Sequence, residues 1–177
     1  QGLDKSQFGL LLLVMAVGAL LSFPVAGRLA DRFGAVLLTR ILAVLYAASL
    51  VCIAVVPVSV LALGVAMFFF GATHGVMDVT MNSWATEVEK AAGRPIMSSF
   101  HALWSVGTGL GALSGFFAGQ IDLETSVHFL LAAALFSAVC LPFSAISWQS
   151  ETSSGSRGEG TPLVSLPKGM LLLVGVV

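Results

Sequence analysis

Five long apolar runs constrain the fold of this chain more than any other feature of its sequence. A helix needs about 20 apolar residues to cross the hydrocarbon core of a bilayer, and each run reaches that length. None of the runs alternates apolar and polar residues as a barrel strand does, and backbone groups in lipid must be hydrogen-bonded within their own segment. The sequence therefore predicts an all-α polytopic membrane protein, a helical bundle with five complete transmembrane helices. The predicted spans are 8–27, 36–57, 60–84, 97–119 and 127–148.

The scarcity of charged residues excludes a water-soluble domain. Of the 177 residues, 57% are hydrophobic and only 10% are charged, whereas soluble domains carry about 25% charged residues. The net charge of −1 predicts no nucleic-acid partner and no polybasic patch for lipid head groups, and the lipid bilayer itself is the predicted partner. Cys52 and Cys140 each lie within an apolar run, which favours packing roles over a disulfide framework.

Both ends of the sequence favour the interpretation that the chain is a fragment of a longer protein. It begins with Gln1, and the apolar run that starts at Met170 stops before it could span a bilayer. The stretch before that run is rich in Ser, Gly and Pro, as flexible linkers are. We expect 1–148 to hold the transmembrane helices, 149–168 to be a cytoplasmic linker and 169–177 to begin another transmembrane helix.

Basic residues are distributed unevenly over the loops between the spans. Seven of the eight Lys and Arg residues fall on or beside alternate loops, and only Lys5 falls on the other side. Loops rich in Lys and Arg stay in the cytoplasm. The chain is therefore predicted to lie in the inner membrane of the cell, with the arginine-rich loop after the first span inside. The residues on the predicted cytoplasmic side are Arg28, Arg32, Arg40, Lys90, Arg94, Arg157 and Lys168.

That first cytoplasmic loop reads GRLADRFG, and each of its special residues has a physical interpretation. Gly27 permits a close helix contact, and Gly34 allows a tight turn. Asp31 is expected to sit at the N-terminus of the following helix, where its charge would offset the helix dipole. Arg32 can pair with that carboxylate.

The spacing G-x-x-x-D-R-x-G between two adjacent spans resembles the loop between helices two and three of major facilitator superfamily transporters. Gly27, Asp31, Arg32 and Gly34 match the family pattern, although the basic pair that usually follows is absent. The resemblance implies that the five spans are helices two to six, and that helix one and the C-terminal half of the same chain are missing. The stretch 77–112 also resembles a bacterial subgroup distantly related to the fucose-type sugar–proton symporters.

Three polar residues interrupt the third span at intervals of one helical turn. His74, Asp78 and Asn82 recur at i, i+4 and i+8 and therefore lie roughly along one helix face. An ionised side chain at the bilayer centre costs at least about 2.5–3.5 kcal/mol on insertion scales, so this face is expected to line an internal cavity and to avoid lipid. The resemblance implies the same, because helix four lines the central cavity of the family.

The fourth span contributes further candidates for this site. A rise of 1.5 Å per residue places Asp78 about 9 Å and His101 about 6 Å from the same membrane face, so the two side chains are predicted to be able to meet. Asp78 is the candidate proton-coupling group, and His74 or His101 can relay the proton or bind substrate. Asn82 and Trp104 are candidates for hydrogen bonding to and stacking on a substrate. The alternative is a purely structural lock between the two helices.

Glycines form a stripe along the fourth span. Gly107, Gly111, Gly115 and Gly119 recur every four residues. Such a row lets another helix backbone approach closely, so it predicts a packing seam in the membrane.

These features together predict secondary active transport of a small organic solute, sugar-like or otherwise polar, by alternating access with proton symport. Proton-driven efflux on the same fold is one alternative, but the Gly-Pro pattern of proton antiporters is absent from the fourth span. A non-transporting sensor or scaffold is the other alternative. No phosphate-binding, zinc or nucleophile-elbow motif occurs, so the sequence predicts no enzyme activity, no catalytic residues, no metal and no cofactor.

Overall fold

A computed structural model describes residues 3–56, 59–150 and 152 of the chain. Within these ranges the chain is helical and contains no strand, which confirms the predicted all-α class. The predicted start of another helix at 169–177 lies outside the described residues, as does nearly all of the predicted linker. The helices are α1 (Lys5–Phe33), α2 (Ala35–Val55), α3 (Val60–Ala92), α4 (Met97–Gln120) and α5 (Thr125–Ser144).

Four of the five described helices, namely α1, α2, α3 and α5, are long and apolar enough to cross a membrane. The remaining helix, α4, has 24 residues and would be about 36 Å long at 1.5 Å per residue. It is long enough to span, but its glycines, serines and histidine dilute its hydrophobicity. The fourth predicted span, 97–119, therefore remains a prediction from length and position.

The turn between α1 and α2 is a single residue. Gly34 has φ +84° and ψ 142°, a conformation that side chains with a Cβ rarely adopt. Because α1 continues to Phe33, Asp31 lies in the last turn of α1, and the N-cap position of α2 is Gly34. The expectation that Asp31 sits at the start of α2 is therefore wrong at the level of the backbone.

The N-terminus of α1 is closed by a capping box. The carboxylate of Asp4 accepts from the backbone N–H of Gln7 at 2.8 Å, and the Gln7 side chain accepts from the backbone N–H of Asp4 at 3.1 Å. The Ser6 hydroxyl, which donates to the same carboxylate at 2.6 Å, is the main reason that the pKa of Asp4 is lowered from its usual value. The box satisfies backbone donors that a helix start otherwise leaves open.

Helix α3 is longer than the predicted span and extends well beyond it. The residues that follow the predicted span, from Ala85 on, continue α3 without a break as far as Ala92. The helix ends where Gly93 adopts the left-handed conformation with φ 65°. The Glu89 carboxylate then accepts from the backbone N–H groups of Ile96 and Met97 at 2.7 and 2.6 Å, and so caps the start of α4.

Helix α3 is the centre of the described bundle. Helix α1 packs along it on one side, and α2 lies against both α3 and α5. A small core of Leu38, Leu42 and Ala30, with Met77 of α3 packed on it, joins α1, α2 and α3. Among the described helices, α4 contacts α3 and α5 alone, and it is the least packed of them.

Polar contacts tie the end of α5 to its neighbours at the predicted cytoplasmic side. The Arg40 guanidinium donates to the carbonyl oxygens of Ser144 at 2.6 Å and Ile146 at 2.7 Å, as cations do at helix C-termini. The indole N–H of Trp148 donates to the Glu87 carboxylate at 2.9 Å. These contacts hold one end of the space between α2, α3, α4 and α5.

Candidate functional site

A cleft of about 730 Å³ opens between α2, α3, α4 and α5. Its wall combines many apolar and aromatic side chains with few polar ones. Four of the five residues that the sequence predicts for a substrate or proton pathway line this one cleft. They are Asp78, Asn82, His101 and Trp104.

Asp78 and Asn82 form a local polar pair on α3. The Asn82 amide donates to the backbone oxygen of Asp78 at 2.7 Å and to its carboxylate oxygen Oδ1 at 3.3 Å. The pair is possible because residues four apart in a helix are neighbours on its surface. Asp78 is exposed within the described part of the chain. Its carboxylate can therefore still accept a hydrogen bond from a solute.

His101 and Trp104 reach the same cleft from the first turns of α4. Trp104 is 54% exposed, and its ring is available as a flat apolar wall. No hydrogen bond joins the side chains of His101 and Asp78 among the described residues, and their predicted contact stays a prediction. The two groups face one shared space, which a solute or water can fill.

His74, the remaining member of the polar row, lies away from the cleft. Its ring centroid is 5.9 Å from that of Tyr46 on α2, and Tyr46 also stacks on Phe70 at 4.9 Å and tilts against Phe136 at 5.7 Å. Four residues exceed one helical turn by about 40°, so a row at i, i+4 and i+8 winds around the helix. The histidine consequently joins an aromatic cluster, while the rest of the row reaches the cleft.

Sequence reasoning missed Trp84 as a component of the site. Its side chain lines the cleft, and its indole Nε1 is buried with no hydrogen-bond partner in the described part of the chain. An unpaired buried donor costs about 1–3 kcal/mol. A tryptophan near the end of a predicted span is common at a membrane interface. The sequence therefore gave no sign that Trp84 belongs to the cleft.

The loop motif shows two different glycine environments. A Cβ added to Gly34 would lie 2.8 Å from the Cβ of Ser150, whereas one added to Gly27 would meet nothing within 4 Å. The close helix contact expected at Gly27 is therefore not made by the described residues. The Arg32 guanidinium lies 5.2 Å from the ring centroid of Phe33. Asp31 precedes it on the same final turn of α1.

The predicted glycine stripe on α4 has no neighbour among the described residues. A Cβ added at any of its four positions would meet nothing within 4 Å. The tight glycine contacts lie instead between α1 and α3. Added Cβ atoms would overlap the Phe68 backbone at Gly18, the Met15 backbone at Gly71, and the Ala19 oxygen, at 2.6 Å, at Gly75. The stripe itself remains a prediction for Gly107, Gly111, Gly115 and Gly119.

Among the described residues, no group of three or more His, Cys, Asp or Glu side chains is placed to hold a metal ion. The described lining of the cleft supplies one carboxylate, one imidazole, one amide, two hydroxyls, one thiol and five aromatic rings.

Comparisons with known proteins agree on a family. The model of the Major Facilitator Superfamily matches residues 1–175. The chain is 46% identical over 173 residues to an uncharacterised transporter, y4wD, of Sinorhizobium fredii, covering 98% of this chain and 45% of that protein. It is 32% identical over 181 residues to an uncharacterised MFS-type transporter of Yersinia pestis, covering 98% and 44%.

A third relative, the membrane protein MosC of Rhizobium meliloti, is 35% identical over 111 residues, which cover 63% of this chain and 27% of that protein. No solved structure gives a significant match. The chain thus spans somewhat less than half the length of the first two relatives. Its helical membrane fold, its loop motif and the family match over nearly its whole length lead to one conclusion: this chain belongs to the major facilitator superfamily.

Proposed function

We propose that the protein containing this chain is a secondary active transporter that moves a small organic solute by alternating access. The observation that carries the proposal is the placement of Asp78, Asn82 and His101 on one cleft of an otherwise apolar bundle. Polar groups inside membrane helices are costly and usually mark substrate or ion pathways. The transporter names of two relatives support the same activity.

In this proposal Asp78 couples transport to protons. A carboxyl group in a cavity that alternates between wet and dry states takes up a proton when the cavity dries and releases it when water returns, because burial disfavours the charged form. His101, which has no ring hydrogen bond in the described part of the chain, can pass that proton or hold the solute. His74 has a smaller part, because its ring lies beside Tyr46 and away from the cleft.

The proposal includes the placement of the whole protein. We assign the chain to helices two to six of the first half, with the loop at Gly27–Gly34 in the cytoplasm and the protein in the inner membrane. The charge distribution over the loops supports this orientation. The chain covers 45% of the Sinorhizobium fredii transporter, which supports the presence of further helices in the full protein.

Counterflow in proteoliposomes tests the proposal with the full-length protein that contains this chain. A panel of labelled sugars, sugar acids, amines and drugs is assayed first, and the accepted solute is then driven by an imposed pH gradient. Asp78→Asn should abolish gradient-driven accumulation and leave counterflow measurable, because the amide keeps the shape and loses the titratable group.

Asp122→Asn is the matched control, since Asp122 lies in the α4–α5 turn away from the cleft, with φ 51°, a conformation that Asn tolerates. Accumulation that survives in Asp78→Asn would remove the coupling role. Absence of flux for every compound would favour the sensor alternative.

Export of an apolar solute is the second candidate function. The aromatic wall of the cleft favours it, because drug-sized apolar ligands bury their surface against such side chains. Measuring the direction of net flux under an inward proton gradient separates export from symport.

A further inference from the structure

The lining of the cleft restricts the solute more than the transporter family does. Five aromatic side chains contribute to its wall: Trp84, Phe100, Trp104, Phe136 and Phe143. They come from three helices and surround a space whose volume falls in the usual range for small-molecule sites, about 300–1,000 Å³. Such a wall favours a solute with a flat apolar body.

Both hydroxyl groups of the lining are already used within their own helices. The Thr39 hydroxyl donates to the Ala35 oxygen at 2.7 Å, and the Ser144 hydroxyl donates to the Leu141 oxygen at 2.7 Å. The Asn82 amide donates to Asp78. A sugar that entered this cleft would lose its hydrogen bonds to water and would have chiefly the Asp78 carboxylate, the His101 ring and the indole N–H groups to replace them.

The charge of the lining has one sign. Asp78 is the acidic residue of the cleft wall, and no Lys or Arg belongs to the described residues that line it. The imidazole ring of His101 also belongs to the lining. It makes no hydrogen bond to Asp78 in the described part of the chain. A cation in the cleft would therefore meet a counter-charge and aromatic faces, both of which favour it.

We propose that the cleft binds an organic cation, a protonated amine carried on an aromatic or other apolar body. The ammonium group lies against the Asp78 carboxylate, and the apolar body lies between Trp104 and the phenylalanines. This inference rests on the proposed function, since it names the solute class for the same site. It replaces the sugar-like solute that the polar residues suggested in the sequence.

Equilibrium binding to the purified full-length protein in nanodiscs tests the inference. The probes are phenethylamine, which is protonated at pH 7, 2-phenylethanol, which has nearly the same shape without the charge, and glucose. We expect phenethylamine to bind about tenfold or more tightly than 2-phenylethanol, and glucose not to bind. Asp78→Asn should weaken phenethylamine about tenfold and leave 2-phenylethanol unchanged, whereas Asp122→Asn should change neither.

Trp104→Leu gives a second, independent variant. Trp104 is 54% exposed, so its replacement is expected to leave the fold intact and to weaken phenethylamine about threefold to tenfold. Equal binding of amine and alcohol, an amine affinity that Asp78→Asn leaves unchanged, or binding of glucose alone would overturn the inference. If a sugar shows proton-driven flux and no amine binds, this inference is wrong and the proposed function stands. If an amine binds and no compound shows flux, the proposed function is wrong and the inference about binding stands.

Discussion

At the scale of single residues, Gly34 shows how backbone geometry selects an amino acid. It is the whole connection between α1 and α2, and its φ of +84° lies where a Cβ meets the neighbouring backbone. Ser150 lies close to the position a Cβ would occupy, and its hydroxyl accepts from the backbone N–H of Val36 at 2.9 Å. The expectation of a tight turn at Gly34 is confirmed.

Gly34→Ala should therefore destabilise the folded protein by about 1–3 kcal/mol, the usual cost of holding a residue with a Cβ in such a sparsely populated backbone conformation. Thermal unfolding of the full-length protein in detergent measures the effect. Gly27→Ala is the matched control within the same motif, because its added Cβ meets nothing within 4 Å. Equal stability of the two variants would contradict the role of Gly34.

The candidate site could be predicted in part at this scale. The amino-acid sequence alone identifies Asp78, Asn82 and His101 as polar residues in apolar runs, and ionisable groups in lipid need a compensating environment. The sequence could not show that His74 leaves the row or that Trp84 joins the wall. Those placements depend on helix rotation and on which neighbour faces each side chain.

At the scale of helices, the contact between α1 and α3 depends on small residues. Gly18, Gly71 and Gly75 let the two backbones approach so closely that a Cβ at any of them would overlap the opposite helix. Membrane helices associate through such contacts because lipid provides no hydrophobic drive between them. The glycine row on α4 is longer and more regular in the sequence, yet the shorter one on α3 makes the contact.

Gly71→Ala should force α1 and α3 apart and destabilise the protein by about 1–3 kcal/mol, the typical cost of overpacking. Unfolding by titration with a denaturing detergent, followed by circular dichroism, measures the loss. Gly109→Ala on α4 is the control, since its Cβ would meet nothing within 4 Å and it lies outside the predicted stripe. A Gly71→Ala protein as stable as the control would show that the α1–α3 contact is looser than described.

The ends of the helices were predicted less well than their existence. Helix α3 runs to Ala92, beyond the predicted end at Trp84, because the segment after Trp84 is made of good helix formers and contains no helix-breaking residue before Gly93. Hydropathy marks where a chain leaves lipid, but a helix can continue into water. Helix α5 instead ends at Ser144, where Arg40 donates to the Ser144 oxygen and, just past the helix, to the Ile146 oxygen.

At the scale of the whole molecule, the loop charges predict orientation. With Cys52 and Cys140 replaced by serine in the full-length protein, we expect Ile121→Cys to react with a membrane-impermeant maleimide added outside intact cells. Arg94→Cys should react only after the membrane is opened. Both positions are exposed in the described chain and lie outside the predicted spans, so their labelling is expected to differ by the side of the membrane. Outside labelling of Arg94→Cys would reverse the proposed orientation.

The sequence by itself determined that this chain is a bundle of membrane helices, because long apolar runs in lipid can satisfy their backbone hydrogen bonds only as helices. It also determined the residue types that carry the chemistry. Only the tertiary structure decided which helices touch, that α1 and α3 meet through glycines, and that Asp78, Asn82, His101 and Trp104 share one aromatic-walled cleft. The reason is physical: hydropathy depends on each segment alone, whereas helix rotation and partner choice depend on the shapes of two surfaces at once.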